Sequence, residues 1–332
     1  MTESTEHPLS GLWKPTHLQR LYYGPSSVQK HLLECLPNDA SKAFIITGSS
    51  LATKTPLIKQ VEDLLSQKHH AGTFTKIKQH APVAQLDEAT EIVQKDSNID
   101  TIISIGGGSP IDSAKAISHR LHEKSGKYLY HITIPTTLSA AECSFVAGYT
   151  KEDGVKTGIA DTKLAVQVII YDAKFALATP QNLWLSTGIR SLDHAVELLY
   201  NPMSAEAPTK QLVLTAISTL FEYLPKSKAE PKDEDYITRL LLAAFSSLYP
   251  FGTNIKGGLG LSHSLGYALG SPYAIPHGIT SCLTLAKVVR LKADDPENAA
   301  QIARVLPFIG QTRTGNDRQD AMKVGDAIEA LV

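Results

Sequence analysis

The stretch Thr101 to Lys115, T-I-I-S-I-G-G-G-S-P-I-D-S-A-K, decides how this chain folds. Ile102, Ile103 and Ile105 are β-branched and run into Gly106, the pattern of a short strand buried in a parallel sheet. Ser109 then opens a predicted helix. Pro110 suits the first helical position, where a missing N–H costs nothing, and Asp112 follows Ser109 at the spacing of a capping box. Without Cβ atoms, Gly106, Gly107 and Gly108 let backbone amides approach a phosphate, and the unpaired N–H groups and dipole of a helix start favour its negative charge. The stretch therefore reads as a diphosphate site, although an ordinary glycine-rich βα turn has the same composition.

Outward from this motif, 332 residues exceed the usual size of a single core, so two domains are expected. A formal charge of -1 offers no general attraction for nucleic acid or an acidic membrane, so the expected partner is a small molecule. Cys35, Cys143 and Cys282 are few, odd in number and far apart, which argues against a disulfide framework or a cysteine zinc site and fits a reducing compartment. The polar, acidic start M-T-E-S-T-E-H-P resembles neither a secretory nor a transit peptide, and no apolar run approaches a membrane span. A cytoplasmic location is the expectation.

Before the motif, Leu21 to Tyr23 and Ala43 to Thr47 read as strands, Thr55 to Gln67 as a helix, Phe74 to Lys78 as a third strand and Val83 to Gln94 as a helix. Gly48-Ser49-Ser50 lies at the carboxyl end of the second strand, where open α/β sheets bind ligands. After it, Tyr130 to Pro135 and Ala165 to Tyr171 are strand-like, with Thr136, Thr137 and Ser139 offering hydroxyls to a phosphate or a nicotinamide. From Ala178-Thr179-Pro180 onward, leucine- and alanine-rich helical segments take over, beginning with Asn182 to Tyr200 and Ala205 to Leu224. Turn clusters such as Pro225-Lys226-Ser227-Lys228 separate them. The expected division is residues 1–178 as an α/β dinucleotide-binding domain and 179–332 as an all-helical domain. His69-His70 reads as a solvated helix end, His119, His122 and His131 as structural or exposed, and Gly257 to Gly260 as a site of close helix packing.

G-G-G-S-P-I-D-S-A-K, I-P-T-T at Ile134 to Thr137, G-I-R-S-L-D-H-A-V-E at Gly188 to Glu197 and S-H-S-L-G-Y-A-L-G-S-P-Y-A-I-P-H-G at Ser262 to Gly278 occur in one collinear order. Together they resemble the iron-containing alcohol dehydrogenase family, in the branch near maleylacetate reductases. The resemblance implies a dehydroquinate-synthase-like parallel sheet with a helical domain, and a cleft between them where hydride moves. It further implies NAD(P)H held by Gly107, Gly108, Ser109, Thr136 and Thr137, and a homodimer. Family members continue through further helices beyond Asp326 to Val332, so a truncated C-terminus is among the expectations.

The departures from the pattern carry the chemistry. In metal-dependent members an Asp and a His four residues apart, with two later histidines, hold a divalent ion. Here His194, His263 and His277 are present, but Arg190 stands where the carboxylate belongs, and a guanidinium cannot be a ligand. The spacing puts Arg190 and His194 on one helix face, and Asp193 is expected to face elsewhere, pairing with Arg190 at i, i+3. Iron or zinc is accordingly doubtful, and His194, His263 and His277 are the ligands if either binds. Tyr267 replaces a histidine usually close to the nicotinamide, and a neighbouring cation would favour its phenolate. Gly48 replaces an acidic residue of NAD-preferring members, which makes NADPH at least as plausible as NADH. The expected activity is reduction of a carbonyl or enone-like group in a small anionic substrate without a metal. Arg190, His194, Tyr267, His263 and His277 are the catalytic candidates, and Gly48, Ser49, Gly106 to Ser109, Asp112, Thr136 and Thr137 the cofactor-binding ones. A conventional metal-dependent alcohol dehydrogenase and a non-redox lyase, isomerase or pseudoenzyme on the same fold are the alternatives.

Overall fold

The computed structural model describes residues 12–153, 155–253, 258–270, 273 and 275–332. Its first part alternates strand and helix: β1 (Arg20–Tyr23), α1 (Ser27–His31), β2 (Lys42–Thr47), α2 (Ser49–Lys54), α3 (Leu57–His69), β3 (His70–Phe74), α4 (Val83–Gln94), β4 (Ile99–Gly106), α5 (Gly108–Ser125) and β5 (Tyr130–Pro135). A hairpin of β6 (Val146–Thr150) and β7 (Lys156–Ala160) precedes β8 (Val168–Tyr171) and α6 (Ala173–Ala176). Helices follow: α7 (Gln181–Tyr200), α8 (Gln211–Ala229), α9 (Glu234–Leu248), α10 (Leu261–Gly270), α11 (His277–Lys292), α12 (Pro296–Ala303) and α13 (Asp317–Leu331).

Six strands form one sheet in the order β1-β8-β5-β4-β2-β3, every neighbouring pair parallel. The motif strand β4 lies inside it, between β5 and β2, and its alternation explains the burial. Ile103 and Ile105 point to the face covered by α1 and α3, with Val28, Val61 and Leu65. Ile102 points to the other face, against Ala89 of α4 and Ile117 of α5. From β2 the chain moves outward to β3, whereas from β4 it moves the other way to β5. The loops after β2 and β4 therefore diverge at the carboxyl edge and leave a crevice there, the usual ligand position of a parallel sheet. Thr47 keeps the two strand ends together by donating its hydroxyl to the Ile105 carbonyl at 2.8 Å.

The largest apolar cluster joins the helical half to the sheet. It runs from Leu138, Ile169 and Tyr171 through Leu192, Val196 and Leu220 to Val324 and Ile328. No described helix is long and apolar enough to cross a membrane.

Several local expectations are corrected. The third strand occupies His70–Phe74 rather than Phe74 to Lys78. His69 is accordingly buried, with Nδ1 2.9 Å from the Ser41 carbonyl, and is no solvated helix end. Pro225 lies inside α8, not in a turn. The last helical turn of α8 is held to α7 by Trp184, which donates to the Ser227 hydroxyl at 3.0 Å, and by Gln181, which donates to the Lys228 carbonyl at 2.9 Å. The β6–β7 hairpin has no counterpart in the sequence reading. Gly257 of the expected packing site Gly257 to Gly260 lies outside the described residues.

His131 is fully enclosed on β5, its Nε2 2.8 Å from the Ser104 hydroxyl of β4. Burial, and then the Lys115 charge, push its imidazole down to about 3. The unfolded chain takes up that proton near 6.5, so the contribution to stability is complete above that pH and is lost as pH falls toward 3. At pH 5 the loss amounts to about 2 kcal/mol. Thermal melts of the parent and a His131→Gln variant at pH 7 and pH 5 should show a smaller acid-induced drop in the variant; equal drops would refute the assignment.

Candidate active site

The glycine turn is built as an anion cradle. Gly106 ends β4 with φ +141°, a conformation side chains rarely adopt, and its carbonyl accepts the Thr136 N–H at 2.9 Å. A Cβ on Gly107 would stand 3.0 Å from the Thr137 side chain, and one on Gly108 3.3 Å from the Ser139 hydroxyl. Helix α5 starts at Gly108 with Gly107 as its cap residue and no side chain capping it, so its first amides face the crevice. The capping box between Ser109 and Asp112 does not form. Ser109 Oγ instead accepts the backbone N–H of His80 at 3.1 Å, and Asp112 accepts that of Gly148 in the hairpin at 3.2 Å. Pro110 is correspondingly the third helical residue rather than the first. Gly48 caps α2, whose first residue is Ser49, beside the same crevice.

Below the cradle lies a buried polar group that the sequence did not reveal. Lys115, wholly inaccessible, donates to the carbonyls of Ala141 at 2.7 Å and Val146 at 2.9 Å. Burial lowers its pKa, opposed by the charges of Asp112 and Glu142. Glu142, raised by burial, accepts the Tyr171 hydroxyl at 2.7 Å. Glu142 and Cys143 are thus enclosed behind the cleft wall.

The loop carrying Thr136 and Thr137 is fastened to α7. Leu138 donates its N–H to the Thr187 hydroxyl at 3.1 Å and receives the Ser191 hydroxyl on its carbonyl. One turn along, Arg190 is 8 % exposed, its Nη1 3.2 Å from the Ser281 hydroxyl and 3.7 Å from the Asp193 carboxylate. The expected Arg190–Asp193 pair is present, but Asp193 does not face away. At 100° per residue, Arg190, Asp193, His194 and Glu197 all fall within about 100° of one another, so one buried face of α7 carries all four.

Asp193 and Glu197 close on His263. Its Nδ1 is 2.7 Å from Glu197 Oε2 and 3.5 Å from Asp193 Oδ1. Glu197 Oε1 also accepts the Ser262 N–H at 2.6 Å, so this carboxylate sits on the N-terminus of α10, where anions are stabilised. Asp193 Oδ2 takes hydroxyls from Ser262 at 2.9 Å and Ser281 at 2.6 Å. Burial alone would raise the Asp193 pKa, but the charge and hydrogen bond of His263, then Arg190, hold it below the ordinary carboxylate range. His194, ring to ring with His263 at 4.7 Å, is kept neutral by burial and then by the His263 and Arg190 charges. Tyr267 is 51 % exposed and stands edge-on to His277 at 5.8 Å.

Two family models match this chain, iron-containing alcohol dehydrogenase over residues 19–173 and the C-terminal domain of the same family over residues 184–332. The chain belongs to the iron-containing alcohol dehydrogenase family. It is 28% identical over 292 residues to a maleylacetate reductase of Sphingobium indicum, covering 86% of this chain and 77% of that one. It is also 28% identical over 289 residues to a 1-propanol dehydrogenase of Citrobacter freundii, covering 86% and 75%. The crystal structure of a maleylacetate reductase from a Rhizobium species superposes with a TM-score of 0.77 at 23% identity, over 98% of this chain and 86% of that one. Membership of this family makes the chain an NAD(P)-dependent oxidoreductase.

The family's metal gives a test of the site. His194, His263 and His277 do not converge as a ligand set; among the described residues the converging group is Asp193, Glu197 and His263, with ligand atoms within 4.8 Å of one another. The 2.7 Å separation of His263 from Glu197 is a direct hydrogen bond, shorter than the roughly 3.3 Å between two ligands sharing a tetrahedral ion at about 2.0–2.1 Å. The two carboxylates face the Arg190 guanidinium and the His263 ring. As arranged, Asp193, Glu197 and His263 form a hydrogen-bonded cluster that uses Nδ1 of His263 and leaves its buried Nε2, like Nδ1 of His194, without a partner.

Gly260 makes the cluster possible, since a Cβ there would overlap the Glu197 carboxylate, whereas one on Gly258 would meet nothing within 4 Å. Gly260→Ala should lower stability by about 1–3 kcal/mol in denaturant unfolding, the cost of disturbing a buried charged hydrogen bond. Gly258→Ala is the control and should unfold with the parent; if the two variants behave alike, Glu197 is not constrained in this way.

Proposed function

We propose that this chain is a metal-independent NAD(P)H-dependent reductase of a carbonyl or enone-like group in a small anionic substrate, with Arg190 in the electrostatic role of the family's metal. The observation that carries this reading is a buried guanidinium on the face of α7 that also bears His194, oriented through Nη1 by Asp193 and Ser281. Held in place and shielded from water, it stabilises a developing oxyanion or grips a substrate carboxylate without reorganising. The dinucleotide supplies the hydride when bound. Gly106 to Ser109 and the Thr136–Thr137 loop orient it, and Tyr267, exposed at the mouth beside His277, gives the proton from its hydroxyl. His194, kept neutral by burial, and the carboxylates bonded to His263 surround the guanidinium. The likeness to maleylacetate reductase supports an unsaturated keto dicarboxylate as substrate class. A cytoplasmic homodimer belongs to the same reading, by likeness to the family.

Gly48 supports NADPH over NADH, because no carboxylate stands at the end of β2 to repel a 2′-phosphate. A second reading is favoured by the convergence of Asp193, Glu197 and His263, which would take a divalent ion if the His263–Glu197 contact opened.

Purified without chelator, the protein should carry no stoichiometric iron or zinc by elemental analysis and should reduce maleylacetate at the same rate with and without EDTA. Tightly bound metal with EDTA-sensitive turnover would overturn the first reading in favour of the second. Arg190→Lys, which keeps the charge and loses the fork, should lower kcat/KM by about 10²–10³-fold, the range for loss of a preorganised donor. Gly48→Asp should shift the NADPH/NADH ratio of dissociation constants, read by nucleotide fluorescence, at least about tenfold toward NADH; an unmoved ratio would place discrimination elsewhere.

A further inference from the structure

The loop between β3 and α4 performs work that the function described so far does not use. His80 and Ala81 both have left-handed backbones, φ +66° and +46°. Such conformations are uncommon outside glycine and cost of order 1–3 kcal/mol each, so two in succession persist only where surrounding contacts fix them. The contacts are specific. The His80 N–H reaches the Ser109 hydroxyl at 3.1 Å, directly on the diphosphate turn. The His80 carbonyl accepts the Thr150 hydroxyl at 3.1 Å, and the Ala81 carbonyl accepts the Thr150 N–H at 3.3 Å, which ties the loop to the hairpin. The His80 ring crosses to the helical half and meets the His277 ring edge-on, centroids 5.1 Å apart and planes at 85°. His277 in turn meets Tyr267 edge-on.

One residue thus touches the phosphate turn with its backbone and the proton-donating corner with its ring. We propose that His80 is a positioning residue that links occupation of the diphosphate turn to the placement of His277, and through His277 of Tyr267. This rests on the reading of Gly106 to Ser109 as the cofactor turn. The Ser109 hydroxyl accepts from His80 and can donate its own hydrogen to a phosphate oxygen, so a bound diphosphate polarises and tightens the His80–Ser109 bond. Since the loop is anchored on Thr150, that tightening is carried into the His80 ring and onto His277.

The test uses the full chain labelled with 15N-histidine, NADPH as probe, and two variants. His80→Asn tolerates the left-handed backbone and keeps the N–H while removing the ring; His80→Phe keeps an edge contact to His277. NADPH should bind the parent and both variants with dissociation constants within about twofold. It should shift the His277 ring signals in the parent and in His80→Phe, and leave them in place in His80→Asn. With maleylacetate, His80→Asn should lose about tenfold in kcat with little change in KM, and His80→Phe should restore most of it. Equal His277 shifts in the parent and His80→Asn, or a tenfold loss of NADPH affinity in His80→Asn, would overturn the proposal alone. Failure of the parent to bind NADPH would overturn the cofactor reading, and this inference with it.

Discussion

The site depends on two carboxylates, Asp193 and Glu197, buried one turn apart on α7. A single enclosed carboxylate is costly, and two on one face would be prohibitive without partners. Most of the partners that satisfy them come from other helices, namely the amide start of α10, His263, and hydroxyls from α10 and α11; α7 itself adds the Arg190 guanidinium and the Tyr200 hydroxyl. These bonds fix α10 and α11 against α7, so the histidines and tyrosine carried by those helices inherit their positions from the charge balance of α7. Arginine at position 190 is tolerable for the same reason, because its positive charge meets Asp193 within the same face.

The other half of the site follows from strand order. Because β2 and β4 are neighbours whose connections leave in opposite directions, Gly48 and Gly106 open on one crevice. Lys115 then holds the carbonyls of Ala141 and Val146 behind the diphosphate turn, so the wall of the cleft and the hairpin share one buried ammonium. The cradle and the α7 cluster are joined by the short loop Thr136 to Ser139, whose backbone is bonded to β4 at one end and to Thr187 and Ser191 at the other.

What the sequence disclosed was local. The isoleucine run with its glycine turn, the helical leucine spacing after residue 180 and the oddity of Arg190 are all readable within a window of one element. What escaped it was set by distant partners. Ser109 follows the capping pattern, yet its hydroxyl is claimed by His80, 29 residues away. Asp193 was judged against its neighbour His194 alone, when the face it shares is centred between Arg190 and Glu197. Glu197 drew no role because its purpose is the start of a helix 65 residues later. The strand at His70 escaped the reading because His70, Ala71, Gly72 and Thr73 are half-buried and small or polar, and give no apolar alternation to read.

The bonds from Leu138 to Thr187 and Ser191 have a mechanical consequence. They stitch the sheet's cleft wall to the helix that carries Arg190, so the two halves cannot simply part along that line. Any opening for substrate must swing about this seam, much as a book turns on its spine. Arg190, one turn from that spine, keeps its distance from the sheet's cleft wall whichever way the outer ends of the helices turn.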